Sequence, residues 1–210
     1  MTDPDEVSRQ LAAESLAVND PTGWFERLYA AADAGDAVVP WDRGAPHPLI
    51  VEWAEKRKPV GERALVVGAG LGFDAEFVAG LGFDTTAFDI SATAVQKARE
   101  RHPASGVHYR TADLLEPPAE WRRAFDLVVE SLTVQSMPVG PRARAIGNVA
   151  AMVAPGGTLL VVAFAGDEQE EGPPWPLSRA DVEAFGDDLE TVTVENDGQR
   201  WRVELRRPSA

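Results

Sequence analysis

The chain has 210 residues, of which 44% are hydrophobic, so it can bury a single core and is not disordered throughout. Twenty basic residues stand against 34 acidic ones, and the net charge of −14 repels nucleic acid and anionic membrane. The lack of cysteine excludes disulfides, thiolate metal sites and a cysteine nucleophile. No apolar run reaches the roughly 18–20 residues of a membrane-spanning helix, and the acidic start at Met1-Thr2-Asp3-Pro4-Asp5-Glu6 is unlike a secretory signal. A monomeric cytoplasmic protein is the expectation.

Residues 7–18 place Val7, Leu11, Ser15 and Val18 on one helical stripe, and residues 24–34 do the same with Trp24, Phe25, Leu28 and Tyr29. The run Pro40-Trp41-Asp42-Arg43-Gly44-Ala45-Pro46-His47-Pro48 breaks regular structure, and a third helix is predicted over 49–58. This segment, residues 1–60, reads as a helical lid, too poor in apolar residues to fold alone. Over 61–210 strands and helices alternate. Strands are predicted at 64–67, 85–90, 106–110, 125–130 and 157–165, with helices at 73–79, after Ser91 to about 101, and at 141–153. Such alternation implies a parallel sheet covered on both faces. Ser178 and Asp181 suggest a capping box, and 189–195 with 201–206 form a hairpin around Asn196-Asp197-Gly198-Gln199. The acidic runs at 167–171 and 187–188 read as solvated faces. Gly-Leu-Gly-Phe-Asp occurs at 70–74 and again at 80–84, but on different elements, so it marks no repeat.

Gly68-Ala69-Gly70-Leu71-Gly72 follows the first strand and opens a helix, where glycines permit a tight turn and close approach of a ligand to main chain. Phe73 stands where the dinucleotide fingerprint has its third glycine, which disfavours a pyrophosphate. About 20 residues on, Asp89 ends the second strand and can accept from two ribose hydroxyls, unless it merely caps the next helix. Asp113, after the third strand, can accept from an adenine amino group or face water. All three features fall at carboxyl ends of adjacent strands, where open α/β sheets bind ligands, and together they favour a nucleoside.

Gly-Ala-Gly-Leu-Gly, Phe88-Asp89-Ile90-Ser91, Thr111-Ala112-Asp113-Leu114 and the closing hairpin resemble class I S-adenosylmethionine-dependent methyltransferases, in order, across residues 63–207. Gly23-Trp24, the Pro40–Pro48 segment, the stretch from Leu65 to Asp74 and Gly172-Pro173-Pro174-Trp175 are similar to the thiopurine and halide/thiol methyltransferases. The resemblance implies a doubly wound, mostly parallel seven-stranded α/β sheet of the Rossmann-like methyltransferase kind, ending in an antiparallel hairpin. It implies S-adenosylmethionine as cofactor and S-adenosylhomocysteine as product. Gly68, Gly70, Gly72 and Asp74 would meet the amino-acid end; Asp89, Ile90, Asp113 and Leu114 the nucleoside. Trp24, Trp41 and Glu130 would complete the cofactor wall, and Trp41 with Trp175 would face the acceptor.

That family's aromatics after the fourth strand are replaced here by Glu130-Ser131-Leu132-Thr133-Val134-Gln135-Ser136, which implies a more polar acceptor pocket. Methyl transfer needs donor and acceptor held in line more than it needs a base. Were a base required, Glu130 and then His47 are the candidates, each with a structural alternative. No His, Asp or Glu cluster has metal-ligand spacing, so no metal is expected. The acceptor is expected to be a small, uncharged or weakly acidic molecule, with a thiol first by resemblance. An oxygen or nitrogen acceptor, or a cofactor-binding module without catalysis, is the alternative.

Overall fold

The computed structural model describes residues 4–167 and 172–209. Most of the acidic run at 167–171 therefore lies outside the described residues. Helices α1 (Pro4–Ala17), α2 (Gly23–Ala34) and α3 (Pro48–Arg57) precede the alternating part. That part runs β1 (Arg63–Val67), α4 (Phe73–Gly80), β2 (Asp84–Asp89), α5 (Ala92–Arg101), β3 (His108–Thr111) and β4 (Phe125–Ser131). It continues through α6 (Val139–Ala151), β5 (Val153–Phe164), α7 (Arg179–Ala184), β6 (Glu190–Asn196) and β7 (Arg200–Arg206).

The seven strands lie in the order β3-β2-β1-β4-β5-β7-β6. β1 to β5 are parallel, and β7 pairs antiparallel with both β5 and β6. The order reverses between β1 and β4, which opens a crevice at their carboxyl ends. Alternate side chains of each strand enter opposite layers: Leu65, Val67 and Val128 pack under α6 and α7, while Ala64, Val66 and Val129 pack under α3, α4 and α5. α3 is therefore part of the sheet's covering layer, with Ile50, Trp53 and Ala54 buried there. α1 and α2 instead make a separate cluster of Ala12, Trp24 and Leu28 with Trp175.

Local chemistry fixes the ends. Ser91 Oγ accepts from Ala94 N at 3.0 Å, and Ser178 with Asp181 forms the full capping box. The hairpin turn places Gly198 at φ 92°, and Asp197 accepts from the amides of Gln199 and Arg200. β5 begins at Val153, earlier than the glycine pair suggests, because the chain leaving α6 pairs at once with Phe125 and then shifts register before Leu127.

Candidate active site

The crevice at the carboxyl ends of β1 and β4 deepens into a cavity of about 470 Å³, within the range of small-molecule sites. Its wall includes Gly68, Gly70, Gly72, Asp74, Asp89, Ile90, Asp113 and Leu114, as the sequence led one to expect. The turn after β1 is tight: Ala69 N donates to Phe88 O at 2.8 Å, and Gly68 and Gly70 take φ of 60° and 51°. A side chain at Gly68 would meet Thr133, and one at Gly70 would meet the Tyr29 hydroxyl.

Asp89 is buried, and its carboxylate accepts main-chain hydrogen bonds from Gly70 N at Oδ2 and Ser91 N at Oδ1, both at 2.9 Å. Burial pushes its pKa up to about 6, against the pull of the Ser91, Gly70 and Ile90 amides. Each oxygen keeps acceptor capacity for a ligand hydroxyl. Asp113 uses Oδ1 to hold Leu115 N at 2.7 Å, which fixes its loop on the wall.

Trp41 lines the cavity, and its indole N–H donates to Tyr29 Oη at 2.9 Å. Tyr29 is itself on the wall, and burial raises its pKa, so it remains a phenol. Trp24 does not reach the wall. It is fully buried, stacked on Phe25 at 4.0 Å and edge-on to Trp41 at 5.9 Å, so it buttresses Trp41 from behind. Trp175 is likewise absent from the wall and packs with Trp24 and Leu28; Pro173 and Pro174 take the wall position beside it. The segment is held by Trp175 N donating to Gln135 O at 2.7 Å and by buried Arg142, which donates to Trp175 O at 3.0 Å and pairs with Asp181 at 2.9 Å.

Glu130 also departs from its expected place. Leu132 takes a left-handed φ of 63°, and the turn folds back so that Thr133 N and Val134 N donate to Glu130 Oε1 at 2.8 and 2.9 Å. The carboxyl is fully buried behind the turn and is not on the wall; burial lifts its pKa to about 7. Ser131, Leu132 and Thr133 line the cavity instead.

His47 does line it, but not as a base. Its Nδ1 accepts from Leu49 N at 3.1 Å, capping α3, which leaves the proton on Nε2. Burial, followed by repulsion from Arg43 and Arg200, lowers its pKa to about 4, so near neutrality it is a donor only. Its main-chain N–H donates to Asp74 Oδ1 at 2.6 Å, and Asp74 also takes the Ser131 hydroxyl. Arg43, Arg200, Gln135 and Tyr29 are wall residues that sequence reasoning missed. Tyr29 stood on a stripe that read as packing, and the two arginines come together only through the fold. No group of three or more His, Asp or Glu among the described residues could hold a metal ion. No helix among them is long and apolar enough to cross a membrane.

A methyltransferase-domain family pattern matches residues 64–157. A probable thiol methyltransferase 2 of Arabidopsis thaliana is 29% identical over 85% of this chain and 77% of its own length. A ubiquinone biosynthesis O-methyltransferase of Xanthomonas axonopodis is 33% identical over 58% of this chain and 54% of its own length. Among solved structures, the N-methyltransferase NodS of Bradyrhizobium japonicum, in complex with S-adenosylhomocysteine, superposes with a TM-score of 0.66 at 17% identity, covering 88% of this chain and all of that one.

The fold is that of class I S-adenosylmethionine-dependent methyltransferases, and the domain match and the relatives support that activity for this chain. Within that class, the chain resembles the thiol methyltransferases. The wall fits the cofactor: a turn of exposed main chain at Gly68–Gly72, an acid with two receptive oxygens at Asp89, and the acidic loop at Asp113.

Proposed function

We propose that this enzyme methylates the sulfur of a small thiol, and that it works as a cytoplasmic monomer. The observation that carries the choice of sulfur is that neither residue expected to serve as a base is placed to do so. His47 is a donor, and Glu130 is behind its turn. A thiol, with an ordinary pKa of ~8.5, ionises without help, whereas a hydroxyl would need a base. When bound, S-adenosylmethionine supplies a methyl on a cationic sulfur, which keeps the electron pair of the broken bond and leaves as a neutral thioether, while the acceptor's own proton goes to water.

The chain's residues then divide the work. The glycine turn, Asp74, Asp89, Ile90, Asp113 and Leu114 hold the cofactor. Trp41, backed by Trp24, covers it, and its ring face attracts a cationic sulfur. Pro173 and Pro174, set by Trp175, exclude water from the acceptor side. The decisive assay compares thiol, phenol and amine acceptors across pH. For a thiol, the rate should follow the acceptor's own ionisation. Hydroxyl turnover governed by a group on the protein would overturn the reading.

Two further outcomes are expected. Asp89→Ala should weaken S-adenosylhomocysteine binding by about 10- to 100-fold, the ~1–3 kcal/mol of unpaired buried partners. Because Asp89 ionises above about pH 6 and only the carboxylate accepts from both hydroxyls, wild-type affinity should be flat above pH 7 and fall as the pH drops through 6. Titration calorimetry at pH 5 and pH 8 checks both; equal affinities would remove Asp89 from the cofactor site.

The lid, residues 4–47 in our reading, is latched by Glu26. Its carboxylate accepts from Ser91 Oγ at 2.6 Å, Thr93 N at 3.1 Å and Thr93 Oγ1 at 2.5 Å, at the N-terminus of α5. Loss of this cap in Glu26→Ala should cost about 1 kcal/mol, roughly a fivefold rise in the open population. Limited proteolysis within α2 should accelerate accordingly and be suppressed by S-adenosylhomocysteine. Cutting that is indifferent to both would exclude a lid.

A further inference from the structure

We propose that the acceptor end of the cavity is a carboxylate-binding subsite formed by Arg43, Arg200 and His47, and that the methyl acceptor is a small thiol acid, with its carboxylate held there and its sulfur at the methyl. This rests on the methyl-transfer reading above and names the substrate class for it. The subsite adjoins Asp74, which accepts from the His47 amide and faces Arg43. Arg43 comes from the proline-rich entry segment, His47 from the cap of α3, and Arg200 from the first position of β7.

Three features point to an anion. His47 lines the cavity and is only 3% exposed, and its buried Nε2 has no hydrogen-bond partner among the described residues. A buried donor left unmatched costs ~1–3 kcal/mol, so a ligand acceptor at that point is the economical explanation. Arg200 lies over the Phe164 ring, 4.9 Å from its centroid, which orients the guanidinium while leaving its buried Nε without a partner among the described residues. The third feature is mutual repulsion. Burial lowers the pKa of Arg43, Asp74 offsets part of that, and Arg200 adds to it; the same two guanidiniums depress His47.

In a chain of net charge −14, two arginines brought together on one wall form a local exception. Nearby acids balance it only in part. Asp74 faces Arg43 while accepting from the His47 amide and the Ser131 hydroxyl, Asp197 faces Arg200 while accepting from its amide, and Asp42 is paired with Arg101. A planar monoanion matches a guanidinium fork plus one N–H, and a carboxylate is the small organic group with that shape. The open length of the wall, from the glycine turn to Phe164, leaves room for a body between carboxylate and sulfur. An uncharged acceptor would leave the His47 Nε2 and the Arg200 Nε without a partner.

The test uses the full chain with 3-mercaptopropionate and 2-mercaptoethanol, two thiols of similar size that differ in the anionic group. Wild type should favour the acid in kcat/KM by about 10- to 100-fold, the scale of a charge-assisted contact. Arg200→Met and Arg43→Met should each collapse that ratio toward one, mainly through KM. Arg200→Lys should retain part of it, which separates charge recognition from misfolding. Binding gives an independent readout. Calorimetric heat for 3-mercaptopropionate on the S-adenosylhomocysteine-loaded protein should disappear in Arg200→Met, while S-adenosylhomocysteine affinity stays within twofold of wild type. Equal use of the two thiols, or no heat for the acid on the loaded protein, overturns the subsite while leaving methyl transfer intact. Weakened S-adenosylhomocysteine binding in both arginine variants would also overturn it, by assigning the arginines to the cofactor's own carboxylate. Failure of wild type to bind S-adenosylhomocysteine at all would instead remove the methyltransferase reading beneath it.

Discussion

Gly68→Ala should destabilise the protein by about 2–5 kcal/mol and reduce cofactor affinity at least tenfold. The cost has two sources. Gly68 has φ 60°, a left-handed conformation that costs an L-residue with a side chain roughly 1–2 kcal/mol. A Cβ there would sit 2.1 Å from Thr133 Oγ1 and 2.6 Å from Cγ2, and overpacking of that kind costs ~1–3 kcal/mol. Thr133 cannot simply swing away, because Oγ1 donates to Val67 O at 3.1 Å and its amide is held by Glu130. Any accommodation therefore moves both the turn after β1 and the turn after β4. Pairing the substitution with Thr133→Ala should recover most of the steric part, leaving the 2.9 Å approach of the residue 133 Cβ and the backbone part, so the two changes should be non-additive. Gly147→Ala in α6 is the control. Nothing lies within 4 Å of its added Cβ, and a helical glycine-to-alanine change stabilises by roughly 0.5–1 kcal/mol. Denaturant melts with and without S-adenosylhomocysteine measure all three, and a Gly68→Ala protein as stable as wild type would refute the account.

Glu130→Gln should change the pH dependence of stability more than it changes turnover. The folded protein holds this carboxyl at about 7 against an ordinary 4.5, because burial penalises the anion more than the two amides favour it. A raised pKa means the folded state binds the proton more tightly. The stabilisation is complete below pH 4.5 and is lost as the pH rises through 7. The shift corresponds to about 3 kcal/mol. Glutamine mimics the protonated acid and lacks the slope. Relative to wild type, Glu130→Gln should therefore gain about 2–3 kcal/mol between pH 5 and pH 8. The difference between the two proteins isolates Glu130, since His47, with its lowered pKa, tilts both curves the other way below pH 6.5. Thiol turnover should stay within a few-fold of wild type. A loss of 10²-fold or more with cofactor affinity intact would mean that the side chain reaches the reacting atoms.

The pattern of apolar residues was sufficient to locate the seven strands and their covering helices, because the central strands are buried on both faces, the hairpin strands alternate, and the covering helices are buried on one face. The part of the cavity wall around the glycine turn was legible for a related reason: Gly68, Gly70, Asp89 and Asp113 sit at fixed offsets from strand ends, so local sequence sets their positions. Glu130 also ends a strand, yet the left-handed turn at Leu132 draws its carboxylate back onto two amides, and no pattern in the sequence announces that turn. Sequence reading favoured Trp41 and Trp175 over Trp24 for a place at the site, yet of the three only Trp41 meets the cavity once α1 and α2 have packed. Arg43 and Arg200, 157 positions apart in the chain, become neighbours through sheet order alone.

The cavity's two halves are made of different material. One centres on main chain bent at glycines, with Asp89 and Asp113 beside it; the other is side chains at 43, 47, 164 and 200, borne by separate elements. On the reading proposed above, changes at those four positions can rewrite the acceptor side while the donor side stands. A library confined to those four positions would explore new acceptors without sacrificing the methyl source, which makes this fold a convenient starting point for redirecting alkylation chemistry.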